Sequence, residues 1–184
     1  MHVFILIGVL DTIQTHRPTN MSEKIYNVLF LCTGNSARSI MAEALLNVHG
    51  QGRLYAYSAG SHPTGKVHPL AAELVKSLGY PEEKLRSKTW DEFAQPGAPD
   101  MDLIITVCDN AAGEVCPVWP GHPISAHWGF PDPAAVEGAE EKKRAAFRTI
   151  FTQIANRVNL LLALPMEKID RLALQNQVKA IGQR

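Results

Sequence analysis

Two hydrophobic patterns alternate along the chain. One is the short, nearly continuous apolar run. The other is a longer stretch whose apolar residues recur every three or four positions. Residues 26–32 (YNVLFLC) form a continuous run rich in β-formers, as a strand buried on both faces requires. Residues 37–50 (ARSIMAEALLNVHG) set Met41, Leu45 and Val48 at helical spacing and close on Gly50. Residues 53–60 (RLYAYSAG) alternate and predict a second strand. Residues 68–80 carry Pro69 near a helix start, Leu70, Leu74 and Leu78 on one face, and Gly79 at the stop. Residues 102–108 (DLIITVC) predict a third strand that also ends in cysteine, and 123–128 (PISAHW) a short fourth. From Gly138 a long helix is predicted to about Leu164, with Phe147, Ile150, Phe151, Ile154, Val158 and Leu161 inward. Pro165 interrupts it, and 166–184 reads as a weakly amphipathic helical tail.

This order predicts an α/β, three-layer, flavodoxin-like fold: a four-stranded, mostly parallel sheet flanked by helices. Ligands of such sheets bind beyond the carboxyl ends of the strands. Cys32 and Cys108 both fall there. The expected organisation is an N-terminal extension over 1–24, one domain over 25–164 and the tail over 165–184. The apolar stretch at 2–10 is too short to span a bilayer and has neither a basic region before it nor a cleavage signal after it. Met21 is a natural start, so 1–20 is expected to lie outside the fold, with an extra edge strand as the alternative.

Composition narrows the class. Of 184 residues, 46% are hydrophobic and 20% charged, ordinary values for a globular protein. Lys plus Arg and Asp plus Glu are 18 each, so no bulk charge points to nucleic acid or membrane, and any anion site must be local. The three cysteines, Cys32, Cys108 and Cys116, are an odd number without a secretion signal, which suggests reduced thiols in the cytoplasm.

The segment CTGNSARS supplies local chemistry. It is a C-x5-R-S turn between a strand and a helix. Backbone N–H groups of Thr33, Gly34, Asn35, Ser36, Ala37 and Arg38 can form an anion cradle at the helix N-terminus. Gly34 and Asn35 tolerate the backbone conformations such a loop needs. Arg38 offers a planar fork to a tetrahedral oxyanion. Cys32 is expected to have a lowered pKa there, with the Ser39 hydroxyl donating to its sulfur. The product is a nucleophilic sulfur beneath a bound oxyanion. Asp132, before Pro133, stands in a D-P pair that stiffens its loop and by itself reads as a common turn. The remaining thiols could be inert core residues. With His122 and His127 they could also be zinc ligands, although seven residues between Cys108 and Cys116 is long for a zinc knuckle. His62, His68, His122 and His127 read as turn or surface groups, and EEKKR (140–144) as a solvated helix face.

VLFLCTGNSARSIMAEALLN, SAGSHPTGKVHPLA, TVCDNAAGEVCPVWPG and AHWGFPDPA resemble, in order, the low-molecular-weight protein tyrosine phosphatases, and more closely the arsenate reductases built on that fold. The resemblance implies a thiol relay. Cys32 attacks arsenate while Asp132 protonates the leaving oxygen. Cys108 then releases arsenite by forming a disulfide with Cys32, and Cys116 takes over the disulfide with Cys108. DNAAGEV between the last two cysteines suits a mobile loop. Reducing equivalents would come from thioredoxin, or from glutaredoxin with glutathione; no bound cofactor is expected. In well-described thioredoxin-coupled members this loop is one residue shorter. Phosphate or sulfate would fit the same cradle. In the resembled reductases, residues like Asn35, Glu43 and Ser58 buttress the loop, sometimes around potassium. Lys88 falls about where some members carry an acidic potassium ligand, so an ammonium replaces the ion and no bound metal is expected. The alternatives are a phosphatase, although Ala134 and Ala135 replace the tyrosine pair that holds an aromatic substrate, and a non-catalytic oxyanion-binding module.

Overall fold

The computed structural model describes residues 24–109 and 119–184. The expected extension, apart from Lys24, and the segment carrying Cys116 lie outside the described residues. Four strands, β1 (Tyr26–Cys32), β2 (Leu54–Gly60), β3 (Leu103–Thr106) and β4 (Ile124–His127), form one sheet in the order β2-β1-β3-β4. All three pairings are parallel, with Cys32 opposite Gly60, Leu31 opposite Thr106, and Thr106 opposite His127. The order reverses between β1 and β3, which makes the carboxyl ends of those strands the switch point where a crevice opens.

The helices are α1 (Arg38–His49), α2 (Pro69–Ser77), α3 (Glu140–Leu162) and α4 (Arg171–Ile181). On α1, Met41 and Leu45 are buried as the spacing predicts, whereas Val48 is exposed on the last turn. Helix α3 begins two residues after Gly138, with Ala139 as its cap. All four helices contribute to one core on the Val28, Phe30, Leu103 and Ile105 face of the sheet. The opposite face, with Leu29, Leu31 and Ile104, is covered among the described residues by Trp90 and Phe93 of the 3₁₀ turn Trp90–Phe93, together with Met101 and Trp119.

Helix α4 is part of the core. Leu174, Val178 and Ile181 are buried, each contributing about 1.5–3 kcal/mol. The Val178 carbonyl accepts from Trp128 Nε1 at 2.9 Å. Among the described residues no helix is long and apolar enough to cross a membrane.

Candidate active site

The loop between β1 and α1 is held by its carbonyls. Cys32 O accepts from Ser61 N, Thr33 O from His62 N, Gly34 O from Thr64 N and Ser36 O from His68 N, at 2.8–3.2 Å. The Ser87 hydroxyl also donates to Gly34 O at 3.2 Å. In a trans peptide the N–H points opposite its carbonyl. Carbonyls drawn outward by residues 61–68 therefore turn the N–H groups of Thr33, Gly34, Asn35 and Ala37 inward. The Asn35 N–H does point at Cys32 Sγ, at 3.1 Å. Asn35 has φ +42°, the left-handed turn expected of it.

Gly60 allows this closeness. A Cβ there would run into Thr33 O and stand 3.0 Å from Asn35 N. Neither it nor Ser87 was singled out in the sequence. The glycine ending SAG was visible as a strand stop, but its contact lies across the sheet. His68, expected at a turn or surface, stands at the start of α2. Its Nδ1 accepts from Leu70 N at 3.2 Å while its backbone holds Ser36.

Beneath the loop lies a buried polar network. Ser39 Oγ is 2.9 Å from Cys32 Sγ. Asn35 Nδ2 donates to Ser39 Oγ at 3.0 Å and to Ser58 Oγ at 2.9 Å, and Ser58 donates to Glu43 at 2.5 Å. Tyr80, which the sequence did not reveal, donates to Glu43 at 3.4 Å. Lys88 closes the network twice: its N–H donates to Asn35 Oδ1 at 2.8 Å, and its ammonium lies 3.6 Å from Glu43 Oε2. Burial pushes the Glu43 carboxyl up and the Lys88 ammonium down, and their mutual attraction opposes both shifts. A potassium ion does not fit this donor set. Asn35 Oδ1 is already engaged, and the cation beside Glu43 is the protein's own. Among the described residues no three His, Cys, Asp or Glu side chains cluster to hold a metal.

The thiol departs from expectation. Burial pushes Cys32 up, and the nearby Cys108 adds to the rise, while Ser39 and the Asn35 N–H pull it back. The sequence predicted a lowered value from the combined field of the loop N–H groups, the helix N-terminus and Arg38, and burial of the sulfur outweighs it. Arg38 Nη1 donates to Phe130 O at 2.9 Å, and Nη2 lies 3.4 Å from Asp132 Oδ2. Arg38 thus ties the cradle to the loop that bears the candidate acid. Asp132 is half exposed and caps the 3₁₀ turn Pro133–Ala135, its Oδ1 accepting from Ala134 N at 3.1 Å.

Cys32 and Cys108 are both buried and free. Thr33 Oγ1 lies 3.6 Å from Cys108 Sγ, so the second thiol reaches the first residue of the cradle. Of the zinc ligands weighed in the sequence, His127 is bound elsewhere. Its Nδ1 is 2.8 Å from Thr106 Oγ1 and its Nε2 is 2.9 Å from Asp109 Oδ1.

An arsenate reductase of Halalkalibacterium halodurans is 40% identical over 144 residues, covering 75% of this chain and 94% of the relative. Among solved structures, an arsenate reductase of Archaeoglobus fulgidus superposes with a TM-score of 0.58 at 31% identity, covering 74% of this chain and 99% of that one. A thioredoxin-dependent arsenate reductase of Corynebacterium glutamicum gives 0.53 at 26% identity, covering 75% and 60%. Residues 27–177 match the model of the low molecular weight phosphotyrosine protein phosphatases, and the chain belongs to that family.

Proposed function

We propose that the protein reduces arsenate to arsenite, with Cys32 as nucleophile, Asp132 as general acid and Cys108 and Cys116 as successive resolving thiols. The observation that carries the reading is the reach of the free Cys108 sulfur to Thr33, at 3.6 Å, in a cradle built around a second free thiol. Ester hydrolysis needs only Cys32, so a second thiol here favours electron transfer. The arsenate reductases that cover most of this chain support the same conclusion.

Each step balances. Cys32 loses its proton as Sγ bonds to arsenic, and Asp132 delivers a proton to the departing oxygen, which leaves as water. Cys108 Sγ, as thiolate, then attacks Cys32 Sγ. The arsenic–sulfur bond breaks with its electron pair going to arsenic, arsenite departs, and a Cys32–Cys108 disulfide remains. Cys116 attacks Cys108 in turn, frees Cys32 and leaves the Cys108–Cys116 disulfide for an external dithiol. The net change is one arsenic reduced by two electrons and two thiols oxidised. Thr33, Gly34, Asn35, Ser36, Ala37 and Arg38 form the cradle, which phosphate or sulfate would also occupy. Asn35, Glu43, Ser58 and Lys88 hold its shape. Thioredoxin is the proposed reductant, supported by the thioredoxin-dependent relative, and the chemistry belongs in a reducing cytoplasm. The reading also takes 25–164 as the catalytic unit, with 1–24 as an extension and 165–184 as a C-terminal helical tail packed on its core.

The test is arsenate-dependent NADPH oxidation with thioredoxin and its reductase, run beside glutaredoxin with glutathione and its reductase. Turnover with thioredoxin is expected. No arsenite with either donor would refute the reading.

A further inference from the structure

Phe130 lies two residues before Asp132, and a cation holds it from each side. Its carbonyl accepts from Arg38 Nη1 at 2.9 Å. Its ring lies under the guanidinium of Arg157, with Cζ 4.3 Å from the ring centroid. Arg157, on α3, also donates through Nη1 to Gly129 O at 3.1 Å and through Nη2 to Arg184 O at 3.0 Å. The contacts continue into α4: Trp128 Nε1 donates to Val178 O, and a Cβ on Gly182 would run into His127 O. Residues 127–130 therefore rest on α3 and on the segment after Pro165. Phe130 is itself buried, at 4% exposure.

We propose that Arg157 is a positioning residue for the general acid. It braces Gly129 and Phe130 so that Asp132 stays over the cradle and Arg38 keeps the Phe130 carbonyl. This rests on the reading of Asp132 as the acid. An arginine suits the task because its flat fork stacks on a ring and donates to carbonyls in the same pose, which a lysine cannot do. A general acid contributes about 10²–10⁴-fold only while its proton is within hydrogen-bond reach of the leaving oxygen, so a loosened brace forfeits part of that factor.

The test uses the full chain with Arg157→Gln, Arg157→Lys, Asp132→Asn and the Arg157→Gln/Asp132→Asn double variant. Hydrogen exchange of residues 129–135 is read beside single-turnover arsenite formation and arsenate affinity. Arg157→Gln is expected to speed exchange in 129–135 while β1 is unaffected. It is also expected to slow arsenite formation by roughly tenfold or more, with affinity within about threefold of the parent. Arg157→Lys should fall between the two. In the Asp132→Asn background the same change should cost less than about twofold, because the acid it positions is gone. An equal loss in both backgrounds would mark a general structural effect and overturn the proposal, as would unchanged exchange across 129–135. If Asp132→Asn were as fast as the parent, the acid assignment would fall and the proposal with it. If the parent made no arsenite, the proposed function would fail, while the exchange data would still decide whether Arg157 holds the loop.

Discussion

Replacing Lys88 by Met should cost about 3 kcal/mol of stability near neutral pH, and much less in mild acid. Lys88 and Glu43 are 8% and 6% exposed and lie 3.6 Å apart. At an effective dielectric of about 20, that separation corresponds to roughly 4–5 kcal/mol of attraction. Removing the ammonium leaves a buried carboxylate with the hydrogen bonds of Ser58 and Tyr80. The variant has an escape, because Glu43 can take up a proton. Near pH 7 this costs about 1.4 kcal/mol for each unit above the ordinary carboxylate value, or about 3–4 kcal/mol, which caps the loss. Near pH 5 the cap falls to about 1 kcal/mol. The sign follows from linkage. Burial already raises Glu43, and without Lys88 it rises further. The folded variant then holds a proton that the unfolded chain has lost, so its stability falls as pH rises above the ordinary carboxylate range. Urea denaturation of parent and variant at several pH values measures the difference. A loss that is equal in mild acid and at neutrality, or below about 1 kcal/mol near neutral pH, would refute the account of the pair as a buried charge couple.

Three further outcomes are expected. Cys108→Ser should stall after Cys32 meets arsenate, releasing no arsenite in a chemical quench while retaining any hydrolysis of small phosphate esters; arsenite release at the parental rate would remove Cys108 from the relay. Ser39→Ala should push the Cys32 thiol higher still, since Ser39 is the largest of the influences that lower it. Iodoacetamide labelling of Cys32 near neutral pH should therefore slow by roughly two- to tenfold and converge with the parent in strong base. Gly60→Ala should displace Thr33 and Asn35 and cost about 1–3 kcal/mol of stability, with a fall in arsenate turnover on the order of hundredfold, measured by thermal unfolding and steady-state kinetics.

Much of this arrangement is written in local pattern. The run to Cys32, the alternation to Gly60 and the amphipathic spacing of α3 each state their own partners, because burial periodicity depends on neighbours a few positions away. The cradle was legible for the same reason, since turn, cysteine and arginine lie within eight residues. What escaped depends on contacts between distant segments. Ser87 reaches Gly34 across 53 positions, Tyr80 reaches Glu43 across 37 and Arg38 reaches Phe130 across 92. The direction of the Cys32 shift was misjudged because burial of the sulfur, its largest cause, is set by the packing of distant segments. The engagement of Arg38 with the Asp132 loop is likewise a contact that only the fold shows.

The strand ladder explains why the end of β3 matters to the thiols. Along β1, Val28, Phe30 and Cys32 share one face of the sheet, and Leu103, Ile105 and Val107 lie on the same side. Leu31 is level with Thr106, so Cys32 is level with Val107. Had the ladder continued unchanged, Cys108 would have been level with Thr33 and, by the two-residue alternation, would have pointed away from Cys32. But β3 ends at Thr106. Val107 N still bonds to Leu31 O at 2.8 Å, and beyond it the alternation lapses, so that Cys108 joins the core that contains Cys32. Adjacent strands stand about 4.8 Å apart, and a disulfide needs Cα atoms about 4.4–6.8 Å apart. A thiol two residues past the end of one strand can therefore approach bonding distance of a thiol closing the next, provided the backbone turns once. Cys108 sits at that turn. A longer β3 would have kept the sheet more regular and directed the second sulfur to the wrong face.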